Sequence, residues 1–199
     1  MLAFILSIIN GRISQNYMKF DENDNGLMLP IKNQTIPYDT LVIILCISYA
    51  IALIITKNDI HKTIKLLIIG LCIYLITYHV TGILKKYVGR PRPSALTTCN
   101  YVKSELSNNI NNCMNKNEID ESWSSFPSGH TSESFAVMVL IFFILNEYTD
   151  YNIFIKMLPI LFASMVGITR IIDNRHHPTD VIGGAIIGTS ISAAIWMLR

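Results

Sequence analysis

Three groups of ionisable residues lie at the ends of apolar stretches in this sequence. Residues 85–93 carry four cations, residues 126–130 end in a histidine, and residues 169–180 hold two histidines, two arginines and two aspartates. Cations can hold an anion, a histidine can act as a nucleophile or as an acid and base, and a carboxylate can orient an imidazole. Because charged residues beside membrane-spanning segments are costly, such groups indicate a functional site.

The first group, residues 85–93, directly follows an apolar stretch. Its four cations are Lys85, Lys86, Arg90 and Arg92. Basic residues at the end of a span commonly anchor it at the membrane interface, and taken alone this group favours that role.

The second group opens an apolar stretch. Gly129 permits the close approach of a ligand, and Ser128 can cap the helix, whose first N–H groups bind anions. His130 is placed there to give a proton to a bound phosphate oxygen. Taken alone, the group is equally a helix start with a histidine at the interface. Glu133, one turn further on, either pairs with a cation or faces a hydrated cavity.

The third group, residues 169–180, brings a carboxylate near two histidines. Pro178 suits a first helical turn, so Asp180 is expected near a helix start, within reach of the preceding histidines. A carboxylate that accepts the Nδ1 hydrogen of an imidazole leaves Nε2 free as a nucleophile. Spacing alone does not choose between His176 and His177, and an isolated histidine–carboxylate pair is also compatible with a purely structural contact.

The elements that must position these groups are apolar helices. Five stretches are long enough to span a bilayer: residues 40–56, 66–84, 129–147, 152–171 and 179–198. The apolar N-terminal stretch is too short to cross, and we expect an interfacial or partly inserted helix there. The sequence therefore predicts an all-α, polytopic transmembrane helix bundle, with residues 1–199 forming one domain.

Composition excludes several other classes of protein. The 199 residues are 51% hydrophobic and only 15% charged, which is unlike a disordered chain or an ordinary soluble domain. A net charge of +2 is too small and too dispersed for a nucleic-acid-binding surface. The expected environment is the lipid bilayer.

Counting spans places all three groups on one side of the membrane. This side, here called the site face, comprises residues 10–39, 85–126 and 172–178. The opposite face comprises residues 57–65, residues 147–152 and the C-terminus. The opposite face concentrates Lys57, Lys62 and Lys65 in one short loop, and the positive-inside rule then assigns it to the cytoplasm.

Other features of the site face agree with a luminal or extracytoplasmic location. Asn33 begins an Asn-Gln-Thr acceptor sequence for glycosylation. Cys99 and Cys113 flank a polar loop and can form a disulfide in an oxidising compartment. The polar residues 94–126 form a candidate lid, in which Trp123 is interpreted as an ordinary interfacial aromatic residue.

Together the three groups resemble the signature of the type 2 phosphatidic acid phosphatase superfamily. That signature reads Lys-x6-Arg-Pro, then Pro-Ser-Gly-His, then Ser-Arg-x5-His-x3-Asp. The matching segments here are Lys85-x6-Arg92-Pro93, Pro127-Ser128-Gly129-His130 and Thr169-Arg170-x5-His176-x3-Asp180. Thr169 replaces the usual serine and keeps its hydroxyl, and the short N-terminal segment departs from the six helices of the family. The family spacing selects His176 over His177.

The resemblance implies hydrolysis of the phosphomonoester or pyrophosphate of a membrane lipid, without a metal or other cofactor. The phosphate ligands that it implies are Lys85, Arg92, Ser128, Gly129 and Arg170. It assigns His176 as the nucleophile that forms a phosphohistidine and Asp180 as its orienting carboxylate. His130 would protonate the leaving oxygen and then activate water. The expected partners are a lipid phosphate substrate and the bilayer; the sequence ranks no particular lipid and carries no signal for an oligomeric state.

Alternative functions use the same features differently. A phosphotransferase would pass the phosphoryl group to an alcohol instead of water. A vanadate-dependent haloperoxidase shares the phosphate-site pattern, but the five apolar spans argue against a protein of that soluble class. A non-catalytic membrane scaffold would use Gly184 and Gly188 to pack against a partner helix, although small residues also serve packing within one bundle.

Overall fold

The computed structural model describes residues 2–19, 24–98 and 116–199, and helices dominate them. Five helices are long and apolar enough to cross a membrane: α2 (Tyr38–Ile55), α3 (Ile60–Val88), α6 (Gly129–Tyr148), α7 (Ile153–Ile172) and α8 (Pro178–Leu198). Three shorter helices are α1 (Leu2–Arg12), α4 (Ala95–Thr98) and α5 (Lys116–Ser122). A single 3-10 turn covers Asn25–Leu27. The predicted all-α bundle with five spans and a short N-terminal helix is confirmed.

Helix α3 is longer than its apolar stretch predicts. It begins before residue 66, where the side chain of Asp59 caps it by accepting a hydrogen bond from the N–H of Lys62 at 3.0 Å. It ends beyond residue 84, so that Lys85 and Lys86 lie in its last turn. The polar residues at both ends of α3 are helical too. The apolar stretch alone therefore underestimates the length of the helix.

Helix α6 forms the centre of the bundle. It packs against α2, α3, α7 and α8. Two thirds of its spanning segment is buried (67%), against 17% to 33% in the other four spans. The other spans therefore turn most of their surface outward, where lipid replaces protein as the neighbour.

Two glycines let α8 approach α6 closely. A methyl group built on Gly184 would lie 2.7 Å from the carbonyl oxygen of Ser128, and one built on Gly188 would collide with the carbonyl oxygen of Ser132. Only glycine fits such contacts. The small residues that a scaffold would use toward a partner are thus used between two helices of the same chain.

The N-terminal part of the chain lies against α3. Helix α1 packs on α3, and the ammonium of Lys86 donates to the carbonyl oxygen of Asn10 at 2.6 Å. The chain then pairs with the end of α3, where the N–H of Asn16 donates to the carbonyl of Lys86 at 2.9 Å and that of Met18 to Gly89 at 2.8 Å. Interfacial insertion of α1 stays a prediction.

The predicted lid is only partly described. Of residues 94–126, residues 99–115 lie outside the described part of the chain, and with them the predicted disulfide between Cys99 and Cys113. The lid and the disulfide both stay predictions. Asn33 lies in the exposed segment before α2, and its glycosylation likewise stays a prediction.

Trp123 is not the interfacial aromatic residue that the sequence suggested. It is only 2% exposed, and its indole Nε1 donates to the carbonyl oxygen of Met18 at 3.2 Å. Its ring meets that of Tyr17 edge-on, with centroids 6.4 Å apart. Trp123 therefore packs the segment before α6 against the N-terminal segment that follows α1. An indole suits this position because it buries a large area while its N–H still finds an acceptor.

Candidate active site

One cavity collects most of the residues that the sequence singled out. It has a volume of about 320 Å³ and lies where the end of α3, the start of α6 and the end of α7 meet. Six of the eight predicted catalytic and phosphate-binding residues line it: Lys85, Arg92, Gly129, His130, Arg170 and His176. The other two, Ser128 and Asp180, are buried behind its wall. The structure thus brings the three sequence groups together at one end of the bundle.

Arg170, near the end of α7, is held firmly by its neighbours. It is 1% exposed; its Nη2 lies 2.9 Å from Oδ2 of Asp173, and its Nη1 donates to Oε1 of Gln34 at 3.2 Å. Its Nε and Nη2 also donate to the hydroxyl of Thr169, at 3.2 and 3.1 Å. That hydroxyl is the feature that threonine shares with the serine of the family pattern, so the replacement keeps the contact.

Lys85 and Arg92 bring two more cations to the cavity. A methyl group built on Gly129 would lie 3.6 Å from Nζ of Lys85, which places the ammonium beside the first turn of α6. The first N–H groups of a helix lack partners within the helix and favour anions. Nη1 of Arg92 lies 3.6 Å from Oε1 of Glu121. Burial lowers the pKa of Arg92, and the carboxylate of Glu121 opposes that effect; arginine nevertheless keeps its charge in proteins.

His176 presents a neutral imidazole with a defined tautomer. The residue is 3% exposed, and its Nδ1 lies 2.7 Å from the carbonyl oxygen of Ser125. Because a carbonyl oxygen can only accept, Nδ1 carries the proton and Nε2 keeps a lone pair. Burial lowers the pKa of His176 to about 3; the nearby cations Arg92 and Lys85 act in the same direction, whereas Asp180 opposes them. The ring is therefore uncharged near neutral pH, as a nucleophile requires.

Asp180 supports His176 less directly than the sequence predicts. Its Oδ2 lies 3.8 Å from Nδ1 of His176, which is beyond hydrogen-bond distance. Oδ2 instead accepts from the hydroxyl of Ser125 at 2.6 Å and from the N–H of His177 at 2.8 Å, while Oδ1 accepts from Arg90 at 2.7 Å. The carboxylate thus fixes Ser125, whose own carbonyl holds the imidazole.

Ser128 occupies a structural position rather than the cavity surface. It precedes α6 at the predicted N-cap, but its side chain makes no cap hydrogen bond. Its hydroxyl accepts from Thr131 at 2.9 Å, and its N–H donates to the carbonyl of Asp180 at 3.0 Å. This backbone bond ties the second sequence group to the third. A role for Ser128 as a phosphate ligand stays a prediction.

His130 lies in the first turn of α6 with one ring nitrogen available. Its ring meets that of Tyr38 edge-on, with centroids 5.5 Å apart. Its Nε2 is buried and has no hydrogen-bond partner among the described residues. A ring nitrogen without a partner inside a cavity can give or take a proton from a bound ligand.

The cavity also contains residues that the sequence interpretation did not assign to the site. These are Asn10, Gln34, Tyr38, Tyr78, Thr81, Gly82, Glu121 and Arg175. Only Arg175 had a visible signal, because it is a cation within the third group. Ser125 had none, since it acts through a backbone carbonyl, which any residue could supply.

Carboxylates and imidazoles do not form a metal-binding cluster in the described part of the chain. In residues 2–19, 24–98 and 116–199, no three His, Cys, Asp or Glu side chains are grouped so that they could hold an ion. The charges that face the cavity from predicted ligands are those of Lys85, Arg92 and Arg170.

Comparison with known proteins identifies the family. The pattern of the PAP2 superfamily matches residues 65–199. Lipid phosphate phosphatase 2 of Arabidopsis thaliana is 30% identical over 99% of this chain and 73% of its own length. The chain belongs to the PAP2 superfamily. The predicted family and the predicted class of enzyme are confirmed at this level, and the chain is a multi-pass integral membrane protein.

Other PAP2 relatives are longer than this chain. Lipid phosphate phosphatase 1 of Arabidopsis thaliana is 33% identical over 84% of the chain, which spans 55% of that relative. A probable diacylglycerol pyrophosphate phosphatase 1 of Schizosaccharomyces pombe is 29% identical over 65% of the chain and 49% of its own length. The crystal structure of a PAP2-type phosphatidylglycerolphosphate phosphatase from Bacillus subtilis matches with a TM-score of 0.50 and 17% identity, covering 99% of this chain and 76% of that one. That last likeness establishes the fold.

Proposed function

We propose that this PAP2 protein hydrolyses the phosphomonoester or pyrophosphate of a membrane lipid, through a phosphohistidine on His176 and without a metal ion. The observation that carries the proposal is the protonated Nδ1 of His176, held by the carbonyl of Ser125 at 2.7 Å, in a cavity that four cationic side chains also line. A neutral imidazole with a free Nε2 beside an anion-binding site is arranged for attack on phosphorus.

The reaction has two steps. In the first, the Nε2 lone pair of His176 forms a bond to phosphorus while the bond to the lipid oxygen breaks, and His130 gives that oxygen its proton. In the second, His130 takes a proton from water as the water oxygen attacks phosphorus, and the phosphorus–nitrogen bond breaks to release phosphate. One group can serve as acid and then as base because the first transfer leaves it deprotonated.

The cations stabilise the charge that spreads over the phosphoryl oxygens. Lys85 and Arg92 reach the cavity from the first sequence group and Arg170 from the third. The N–H groups at the start of α6 add two more donors at Gly129 and His130. Such preorganised groups do for phosphoryl transfer what metal ions do in other phosphatases. We therefore expect hydrolysis to persist in excess chelator.

A lipid substrate fits the position of the cavity and the names of the relatives. The cavity lies at the ends of apolar helices, so a phosphate can enter it while the acyl chains stay in the leaflet. Relatives are named as lipid phosphate and diacylglycerol pyrophosphate phosphatases. We place the site on the luminal or extracytoplasmic side of the membrane.

The test is phosphate release from a panel of lipid phosphates in mixed micelles with excess chelator. We expect release by the wild type and a loss of at least about a thousandfold in His176→Ala, because the nucleophile is removed. The matched control is His177→Ala, since that neighbouring histidine does not line the cavity and its Nε2 lies 3.2 Å from the carbonyl of Pro91. If His176→Ala keeps its activity, His176 is not the nucleophile.

Product analysis separates the remaining alternatives. If an added acceptor lipid receives the phosphoryl group and little phosphate is released, the protein is a phosphotransferase. If a folded sample acts on none of the lipids, the scaffold function gains support, although Gly184 and Gly188 are already in close contact with α6.

A further inference from the structure

A buried carboxyl group with an unused oxygen faces the active-site cavity. Glu133 is 2% exposed, and it lines the cavity beside Lys85 and Tyr38. Its Oε2 is buried and accepts no hydrogen bond from any described residue. Leaving a buried polar atom unpaired is costly, so a donor from within the cavity, a ligand or the water that it displaces, must pair with this oxygen.

An acidic side chain at this position is hard to explain as part of a phosphate-binding site. A carboxyl group in a cavity for a phosphate dianion weakens anion binding, even with Lys85 nearby. No ion pair within 4 Å joins Glu133 to any described cation. Glu133 therefore faces the cavity, which is one of the two roles that the sequence suggests, and Lys85 lies in the same cavity without an ion pair within 4 Å.

The position of Glu133 points to the part of the substrate that leaves. It lies three residues after His130 on α6, about 4.5 Å further along the helix axis and away from the site face. In the proposed mechanism His130 protonates the leaving oxygen, and a lipid that extends from there into the leaflet brings the carbons attached to that oxygen toward Glu133. The carbon next to the phosphate-bearing carbon is the first that can carry a donor at this distance.

We propose that Glu133 accepts a hydrogen bond from a hydroxyl or ammonium group on the carbon next to the one that bears the phosphate. Such a donor is present in monoacylglycerol phosphates, as a hydroxyl, and in sphingoid base phosphates, as an ammonium. It is missing from diacylglycerol phosphates, where that oxygen is acylated. The inference rests on the proposed function and makes Glu133 the residue that selects the first two lipids over the third.

The test compares substrates that differ only in the donor. One pair is 1-acylglycerol 3-phosphate and its 2-O-methyl ether; the other is sphinganine 1-phosphate and its 2-deamino analogue, in which hydrogen replaces the ammonium group. At equal mole fraction in micelles, we expect wild-type kcat/KM to be at least about tenfold higher for the donor-bearing member of a pair, because the analogue leaves the buried oxygen unpaired.

Variants of Glu133 show whether this residue causes the preference for donor-bearing lipids, and whether it binds the hydroxyl or the ammonium group. Glu133→Leu is expected to bring the two members of each pair within about threefold, mainly by losing activity on the donor-bearing lipid. Glu133→Gln keeps an acceptor oxygen and loses the charge. It is therefore expected to retain the preference in the hydroxyl pair and to weaken it in the ammonium pair, where the bond loses its ionic partner.

The matched control is Ser134→Ala, on the next residue of the same helix. Ser134 is fully buried and its hydroxyl also lacks a partner among the described residues, but it does not line the cavity. Its variant should keep the wild-type preference.

Three outcomes would overturn the inference. They are a wild type that hydrolyses both members of each pair equally, a Glu133→Leu variant that loses the same factor on all four lipids, and a Ser134→Ala variant that also loses the preference. In each of these cases phosphate is still released, so the proposed function survives. If the wild type releases phosphate from no lipid, the proposed function fails and the inference fails with it.

Discussion

Arg175 adds a third guanidinium to the cavity, beside Arg92 and Arg170. Its Nη2 donates to the carbonyl oxygen of Lys32 at 3.1 Å, while its Nε is buried without a partner among the described residues. Arg170 is held by a carboxylate, an amide and a hydroxyl, whereas Arg175 is oriented by a single backbone oxygen. It is therefore free to turn its remaining donors to a phosphate oxygen.

We expect Arg175→Ala to lower kcat/KM by about tenfold to a hundredfold. A hydrogen bond to a charged group contributes roughly 1.5–3 kcal/mol, and the cations that remain still bind the phosphate. Steady-state kinetics on a short-chain lipid phosphate would measure the change in kcat and KM.

The control for Arg175 is Arg12→Ala, because Arg12 is exposed at the end of α1 and does not line the cavity. Its kinetic constants should match those of the wild type. Equal kinetics for Arg175→Ala and the wild type would show that Arg175 does not contact the phosphate.

At the residue scale the sequence predicts groups whose chemistry is carried by side chains. Lys85, Arg92, His130, Arg170 and His176 could be named because their types and spacing match a catalytic pattern, and all five line the cavity. The acceptor for Nδ1 of His176 could not be found in this way. It is a backbone carbonyl, and only the folded path of the chain brings it within 2.7 Å.

At the scale of elements, α3 ends in a left-handed turn that packs against the N-terminal segment. Gly89 has φ of +59°, and a methyl group built there would collide with the carbonyl oxygen of Asn16. The same turn positions Lys85 before it and Arg92 after it. The geometry of two predicted phosphate ligands thus depends on a residue that has no side chain.

We expect Gly89→Ala to destabilise the protein by about 2 kcal/mol or more, because alanine is strained in this conformation and the contact with Asn16 must open. A domain of this size loses roughly 2–4 °C per kcal/mol, so the melting temperature in detergent should fall by at least about 4 °C. Activity should fall as well, because the side chains of Lys85 and Arg92 lose their relative position in the cavity.

Gly11→Ala is the control, because nothing lies within 4 Å of a methyl group built on this helical glycine. Alanine favours a helix more than glycine does, so this variant should melt no lower than the wild type. If both variants melt alike, the turn at Gly89 does not hold the N-terminal segment in place.

Apolar stretches predict the five spans well, yet they do not predict the pairing between the N-terminal segment and α3. Residues Asn16 and Lys86 are joined through backbone atoms, which leave no pattern in the sequence. The apolar pattern also underestimates the length of α3, because the helix begins at a polar flank. A helix cap such as Asp59 depends on one side chain and leaves no periodic pattern.

At the scale of the whole molecule, the least apolar span is the most buried one. Helix α6 has a mean hydropathy of 1.3 and is 67% buried, while α2 has 2.3 and is 22% buried. Contact with lipid demands apolar side chains, whereas contact with other helices admits small and polar ones. A polar span bearing a catalytic motif is therefore the better sequence indication of the centre of a membrane bundle.

The orientation of the bundle in the membrane follows from charges at its two ends. Lys57, Lys62 and Lys65 lie around the short connection between α2 and α3, while the basic residues of the site face are mixed with acidic ones. Positive loops stay in the cytoplasm, so we expect the site face to be extracytoplasmic. A lipid phosphate in the outer or luminal leaflet would then reach the cavity without crossing the membrane.

Single cysteines on exposed residues at the two ends test this orientation. Asn33→Cys lies on the site face and Asp150→Cys on the opposite face. In intact bacterial host cells, a membrane-impermeant maleimide should label Asn33→Cys more strongly than the chain without the added cysteine. It should label Asp150→Cys no more than that chain until the cells are opened. The reverse pattern would place the cavity in the cytoplasm, because both positions are fixed to a bundle whose five spans alternate in direction. Activity in intact cells toward an added short-chain lipid phosphate would then have to disappear as well, since the cavity and Asn33 lie at the same end of α2.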